Sequence, residues 1–103
     1  MTFDDYTSGA KQYRLDTANT AYVLLGLCAE AGEVADKFAK AVRDGTPKDF
    51  ETAVAKELGD ILWFVAMLAD DLGYNLDTIA QQNLEKLAAR QKAGTIQGSG
   101  DNR

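Results

Sequence analysis

Two acidic pairs with the same internal spacing carry the chemical potential of this chain. Glu30 and Glu33 lie in Cys28-Ala29-Glu30-Ala31-Gly32-Glu33, and Glu57 and Asp60 lie in Lys56-Glu57-Leu58-Gly59-Asp60. Residues three apart on a helix share a face about one turn from each other, so each pair can aim two carboxylates at one place. Both pairs sit among apolar residues, where a carboxylate is tolerated only with a cation or hydrogen bonds. Two helices packed face to face would gather four carboxylates into an all-oxygen site, which suits Mg2+, Mn2+ or Ca2+ rather than Zn2+. The competing reading is a solvated surface, with Glu33 bridging to Lys37 four residues on. A lone E-x-x-E supports the surface; two such pairs on consecutive helices favour the metal.

Other chemistries are excluded by what is missing. The chain has no histidine, which removes the Glu-x-x-His ligands of ferritin-like di-iron bundles and any Ser-His-Asp or Cys-His machinery. It also lacks a G-x-x-x-x-G-K-[ST] loop to cradle phosphates. A phosphate ligand would therefore depend on metal ions and a few cations. Asn83, Lys86 and Arg90 follow one another at three- and four-residue steps, so an amide, an ammonium and a guanidinium share a helix face able to grip a polyphosphate. A charged face that keeps the molecule soluble explains that spacing equally well. Asp4-Asp5 and Asp70-Asp71 read as helix-surface charge, and Trp63 as a core residue rather than a base-stacking platform.

Helical periodicity must supply the positioning, because strand signals are weak throughout. Phe3, Tyr6, Ala10, Tyr13 and Thr17 make an aromatic stripe that predicts a first helix over about Phe3 to Thr17. A second is expected from Thr20 to Arg43, stopped by Asp44-Gly45. Thr46-Pro47-Lys48-Asp49 matches a capping box with proline at the first helical position, opening a third helix that runs to about Leu72. That helix contains Ile61-Leu62-Trp63-Phe64-Val65-Ala66-Met67-Leu68, apolar on every side. Such a helix is normally buried all round, which a domain this small cannot achieve alone, so part of it or of the second helix should pack on another subunit. After Gly73, Asn75 caps a fourth helix, Leu76 to Lys92, which Gly94 ends. The expected architecture is an all-α four-helix bundle over residues 1–94, with a Gly-rich tail at 95–103.

The chain has 103 residues, nearly half apolar, enough for one domain. Its 11 basic and 16 acidic residues give a net charge of −5, which argues against nucleic-acid binding. Cys28, the single cysteine, lies in an apolar run and reads as a buried thiol in a reducing compartment. The acidic start has no signal-peptide core, and the longest apolar run, Ile61 to Ala69, is too short to span a bilayer. A cytoplasmic protein without membrane association is expected.

The order of these blocks resembles a known family. Gly26-Leu27-Cys28-Ala29-Glu30-Ala31-Gly32-Glu33-Val34-Ala35-Asp36, then Glu57-Leu58-Gly59-Asp60-Ile61-Leu62-Trp63, then Asn83-Leu84-Glu85-Lys86-Leu87 with Arg90 and the closing Gly98-Ser99-Gly100-Asp101-Asn102-Arg103, is similar to the MazG-like nucleotide pyrophosphohydrolases. The resemblance covers roughly Thr20 to Arg103. It implies an all-α fold in which Glu30, Glu33, Glu57 and Asp60 coordinate Mg2+, with Mn2+ as a substitute. It implies hydrolysis of a nucleoside or deoxynucleoside triphosphate to monophosphate and pyrophosphate, by a homodimer or dimer of dimers, with Asn83, Lys86 and Arg90 near the substrate. Many members open the first motif with two adjacent glutamates, whereas Ala29 stands at the earlier position here. The alternative class is a non-enzymatic oligomeric helical module with a structural metal site.

Overall fold

The computed structural model describes residues 1–103 as four helices and no strands. They are α1 (Phe3–Lys11), α2 (Thr20–Asp44), α3 (Phe50–Asp71) and α4 (Leu76–Ala93). The helix count and order match the sequence expectation, and the boundaries differ where side chains redirect the backbone. No helix is long and apolar enough to cross a membrane.

Helix α1 begins at a capping box that the periodicity did not reveal. The Asp5 N–H donates to Thr2 Oγ1 (3.0 Å) and the Thr2 N–H to Asp5 Oδ2 (3.1 Å). It ends at Lys11 rather than at Thr17. Beyond that point Arg14 holds the chain in a turn: its Nε and one terminal nitrogen donate to the Ala18 carbonyl at 2.9 and 2.7 Å. The same guanidinium grips Asp71 bidentately at 2.8 and 2.9 Å, and the Thr20 hydroxyl adds a third bond to that carboxylate (2.8 Å). Asp71 is thus a clasp between the α1–α2 connection and the end of α3, not loose surface charge. Tyr13 and Thr17, assigned by their spacing to the aromatic stripe, are exposed in this turn.

The capping box expected at Thr46-Pro47-Lys48-Asp49 does not form. The Phe50 N–H donates to the Pro47 carbonyl (3.2 Å), closing a turn from Pro47 to Phe50, and α3 starts at Phe50 with Asp49 at the cap position and no side-chain cap bond. Gly45, at φ 91°, stops α2 as expected, with its N–H on the Ala41 carbonyl.

Helices α2 and α3 form a long antiparallel hairpin. Its register is visible in the aromatic contacts: Phe38 meets Phe50 edge-on at 4.9 Å near the mouth, and Tyr22 meets Phe64 at 6.1 Å towards the other end. Gly26 sits against α3, where any Cβ would overlap the Phe64 ring. The core lies at the far end of the hairpin, where Ala10, Val23, Ala66, Met67 and Leu76 are buried and Tyr6, Leu62, Trp63 and Ile79 pack around them. Trp63 belongs to this shell as expected, and its indole N–H donates to the Ala10 carbonyl (3.1 Å).

The closed bundle is not completed within one chain. Helix α4 packs on α1 and α3 and does not approach α2. Asp77 in its first turn explains the direction, because its carboxylate accepts the Phe3 and Asp4 N–H groups at the start of α1 (3.2 and 3.3 Å). The radius of gyration is 16.6 Å, against about 13 Å for a close-packed domain of this size. Only 8 of 103 residues are buried, so the apolar faces of the hairpin stay largely uncovered. Cys28 is among the exposed residues, contrary to the buried thiol its apolar neighbours suggested. The reason is geometric: it lies on the side of α2 that no other helix of the chain covers.

Candidate metal centre on the α2–α3 hairpin

The hairpin register brings α2 carboxylates opposite those of α3. Glu30, Glu57 and Asp60 each offer an oxygen within 4.8 Å of the others. Glu30 and Glu57 are half-buried and Asp60 is exposed. Three carboxylates this close repel one another, and the cost falls on Glu30. A hydrogen bond with the Glu57 carboxylate holds the Glu30 carboxyl above its usual range, and burial and the charges of Asp60, Glu57 and Glu33 push the same way. A divalent cation placed among these oxygens would relieve that repulsion.

Glu33 is placed differently from its three companions. It lies one turn beyond Glu30 on α2, exposed and outside the 4.8 Å group, although its charge still reaches Glu30. The Glu33–Lys37 bridge of the surface reading does not form. Lys37 Nζ instead crosses to α3 and lies 3.8 Å from Glu57 Oε1. The three- and four-residue steps from Glu30 through Glu33 to Lys37 set these residues along one stripe of α2, but spacing does not say which of them reaches α3. Tyr6, reached from α1, is a second neighbour that spacing could not reveal. Its phenol is held above the usual range by burial and then by the Asp60 charge.

The donor set fits a hard divalent cation. Its ligand atoms are all carboxylate oxygens, with no thiol or imidazole in the group, and their spread allows them to converge on one ion after small rotamer changes.

The three α4 residues sit elsewhere in the chain. Asn83 and Lys86 line a shallow groove of about 290 Å³ with Ile79 and Gln82. Lys86 Nζ is 3.1 Å from Asp101 Oδ1. Arg90 is nine-tenths buried and donates to the Asp101 carbonyl (3.0 Å), the Asp101 carboxylate (3.3 Å) and the Gly100 carbonyl (3.5 Å). The two cations, Lys86 first, hold the Asp101 carboxyl below its usual range. Arg103 then stitches the tail to itself, donating to the Thr95, Ile96 and Gly100 carbonyls at 2.9, 2.8 and 2.6 Å. The Gly-rich tail, which has no periodicity to announce it, is therefore a folded loop anchored on α4. Because α4 does not approach α2, no cavity of one chain is lined by both the acidic cluster and the α4 cations.

The chain is thus an all-α protein whose central hairpin clusters three carboxylates in a donor set that fits a hard cation. The particular family follows from comparison with known proteins. Residues 19–95 match the MazG nucleotide pyrophosphohydrolase domain, and the chain belongs to that family. It is also similar to the Gene 37 protein of Mycobacterium phage L5, with 46% identity over 86 residues, covering 81% of this chain and 75% of that protein. No solved structure matches the chain.

Proposed function

We propose that the protein is a Mg2+-dependent nucleoside triphosphate pyrophosphohydrolase, converting a (d)NTP and water into a (d)NMP and pyrophosphate in the cytoplasm, where it serves nucleotide-pool house-cleaning. The observation that carries this reading is the convergence of Glu30, Glu57 and Asp60 across the hairpin of a MazG-family chain. Glu30, Glu33, Glu57 and Asp60 hold the ion, with Glu33 joining from the adjacent turn of α2. When bound, Mg2+, or Mn2+ in its place, supplies neutralisation of phosphate charge and acidification of water. A carboxylate of the cluster takes the proton of the attacking water, whose oxygen forms the new P–O bond while the bridging α–β oxygen leaves with pyrophosphate. Asn83 and Lys86 offer an amide and an ammonium to the substrate, and Arg90 supports them by fixing the tail beside Lys86.

The active form in this reading is a homodimer or a dimer of dimers. Leu25, Cys28, Gly32, Ala35, Ala39 and Val42 alternate at three- and four-residue steps along α2, and every one is exposed. Heptad spacing of small and apolar residues is the seam of a helix pair. Leu84 and Leu87 of α4 and Leu58 of α3 are likewise uncovered. A second copy laid along α2 supplies the cover that the single chain lacks, and it brings another α4, with its Asn83 and Lys86, towards the hairpin.

Product analysis tests the reading. Purified protein is incubated with a panel of NTPs and dNTPs in Mg2+, in Mn2+ and in chelator, beside Glu57→Gln. Monophosphate and pyrophosphate should appear only with metal, and Glu57→Gln should lower turnover by at least about 100-fold with helical content unchanged. Diphosphate and free phosphate would refute the choice of bond. Metal-dependent melting with no product from any nucleotide would point to the non-enzymatic module.

A further inference from the structure

Lys37 stands one turn beyond Glu33 on α2, and of all the ion pairs in the molecule only Lys37–Glu57 involves the carboxylate cluster. The pair is largely shielded, with side-chain exposures of 32% and 20%, whereas the next lysine, Lys40, is 60% exposed and pairs with Asp36 of its own helix at 2.7 Å. Lys37 also lines the groove of about 610 Å³ at the hairpin mouth, together with Lys40, Asp44, Phe50 and Ala53. Its ammonium therefore has the cluster on one side and an open, ligand-sized groove on the other. The stem is four flexible carbons, so the charge can change sides without moving the backbone.

Resting on the reading of the preceding subsection, we infer that Lys37 is a movable counter-charge of the site: it neutralises the carboxylate cluster when no divalent cation is held there, and turns from Glu57 to the phosphate oxygens of the nucleotide when one is. At 3.8 Å from Glu57 the ammonium offsets part of the mutual repulsion of three carboxylates, and for the same reason it repels an incoming dication. Once the cluster is neutralised by the ion, Glu57 no longer favours the ammonium, and a triphosphate becomes its stronger partner through charge-assisted hydrogen bonds. Lys37 thereby opposes metal binding and assists nucleotide binding, two effects of opposite sign from one side chain.

That opposition is the test. Mn2+ binding to the full chain without nucleotide is measured by calorimetry for the wild type, Lys37→Met and Lys37→Arg. Lys37→Met should bind Mn2+ about three- to tenfold tighter, while Lys37→Arg stays near the wild type. At saturating Mn2+, α,β-methylene-ATP should bind Lys37→Met about tenfold more weakly, with Lys37→Arg restoring much of the loss. A merely structural role would weaken both. Wild-type Mn2+ binding with an unchanged or weaker affinity in Lys37→Met overturns the inference and leaves the hydrolase reading standing. Tighter Mn2+ binding with unchanged nucleotide affinity overturns the phosphate contact. A wild type that binds no Mn2+ overturns both readings. Should circular dichroism find Lys37→Met unfolded, Lys37→Gln carries the same expectations.

Discussion

At the scale of the residue, the same side-chain type takes opposite roles according to what surrounds it. Glu30 is a carboxyl crowded by carboxylates, and its pKa rises; Asp71 is a carboxyl crowded by donors, and its pKa falls. For Asp71 the cause is the pair of bonds from Arg14 and then the Thr20 hydroxyl, which favour the charged form in the folded chain. A folded-state pKa below the usual 3.8 means stability that is present above pH 3.8 and lost as pH falls through the lowered value. Asp71→Asn should therefore cost about 1–3 kcal/mol at neutral pH, because it leaves a largely shielded guanidinium without its partner. The difference between variant and wild type should shrink in acid denaturation profiles below about pH 4. A difference that stays constant down to about pH 2 would show that Asp71 acts by packing and not by charge.

At the scale of the element, the hairpin works because α2 and α3 meet closely at one end and hold their carboxylates opposite each other along the way. Gly26 sets that approach. The ring of Phe64 beneath it is flanked by Tyr22 and Trp63, with centroids 6.1 and 5.1 Å away, so it has little room to yield. Gly26→Ala should destabilise the protein by about 1–3 kcal/mol in urea unfolding, although alanine is the better helix former. It should also weaken Mn2+ binding, since splaying the hairpin separates Glu30 from Glu57 and Asp60. Gly32, by contrast, has open space around it: a methyl group added there would meet nothing of its own chain within 4 Å. In the proposed oligomer Gly32 lies on the stripe between copies, so Gly32→Ala should weaken self-association in sedimentation while leaving the fold of the single chain intact.

At the scale of the whole molecule, the single chain is open: its helices are formed and its core is small, yet the long faces of α2 and α4 are unpaired. Leu25, 69% exposed, and Val42, 88% exposed, lie on the same heptad-spaced stripe of α2. The wild type should sediment as a dimer or tetramer at micromolar concentration. Leu25→Asp should dissociate it, because a carboxylate buried in such a seam has no cation on that stripe to meet. A monomeric wild type would remove the oligomer from the functional reading and leave α4 without a route to the cluster of a neighbouring chain.

Much of this was legible in the residues. Period and stop signals determined four helices and their order, because amphipathic spacing and glycine stops are local properties of the backbone. The repeated three-residue spacing picked out Glu30, Glu33, Glu57 and Asp60, because a helix face is fixed by spacing alone. Where a side chain chose between a local partner and a distant one, spacing could not decide. Thr46 and Asp49 had the types for a capping box but make no side-chain cap bond, and Asp71 looked like surface charge until Arg14 arrived from 57 positions away. Tertiary structure alone decided that Lys37 crosses to Glu57, that Glu33 stands apart from its three companions, and that Asp101 returns to Lys86 and Arg90. Those outcomes depend on the register between helices and the path of a loop, which are set by packing and by competition among charges, and neither is written in the spacing of any one segment.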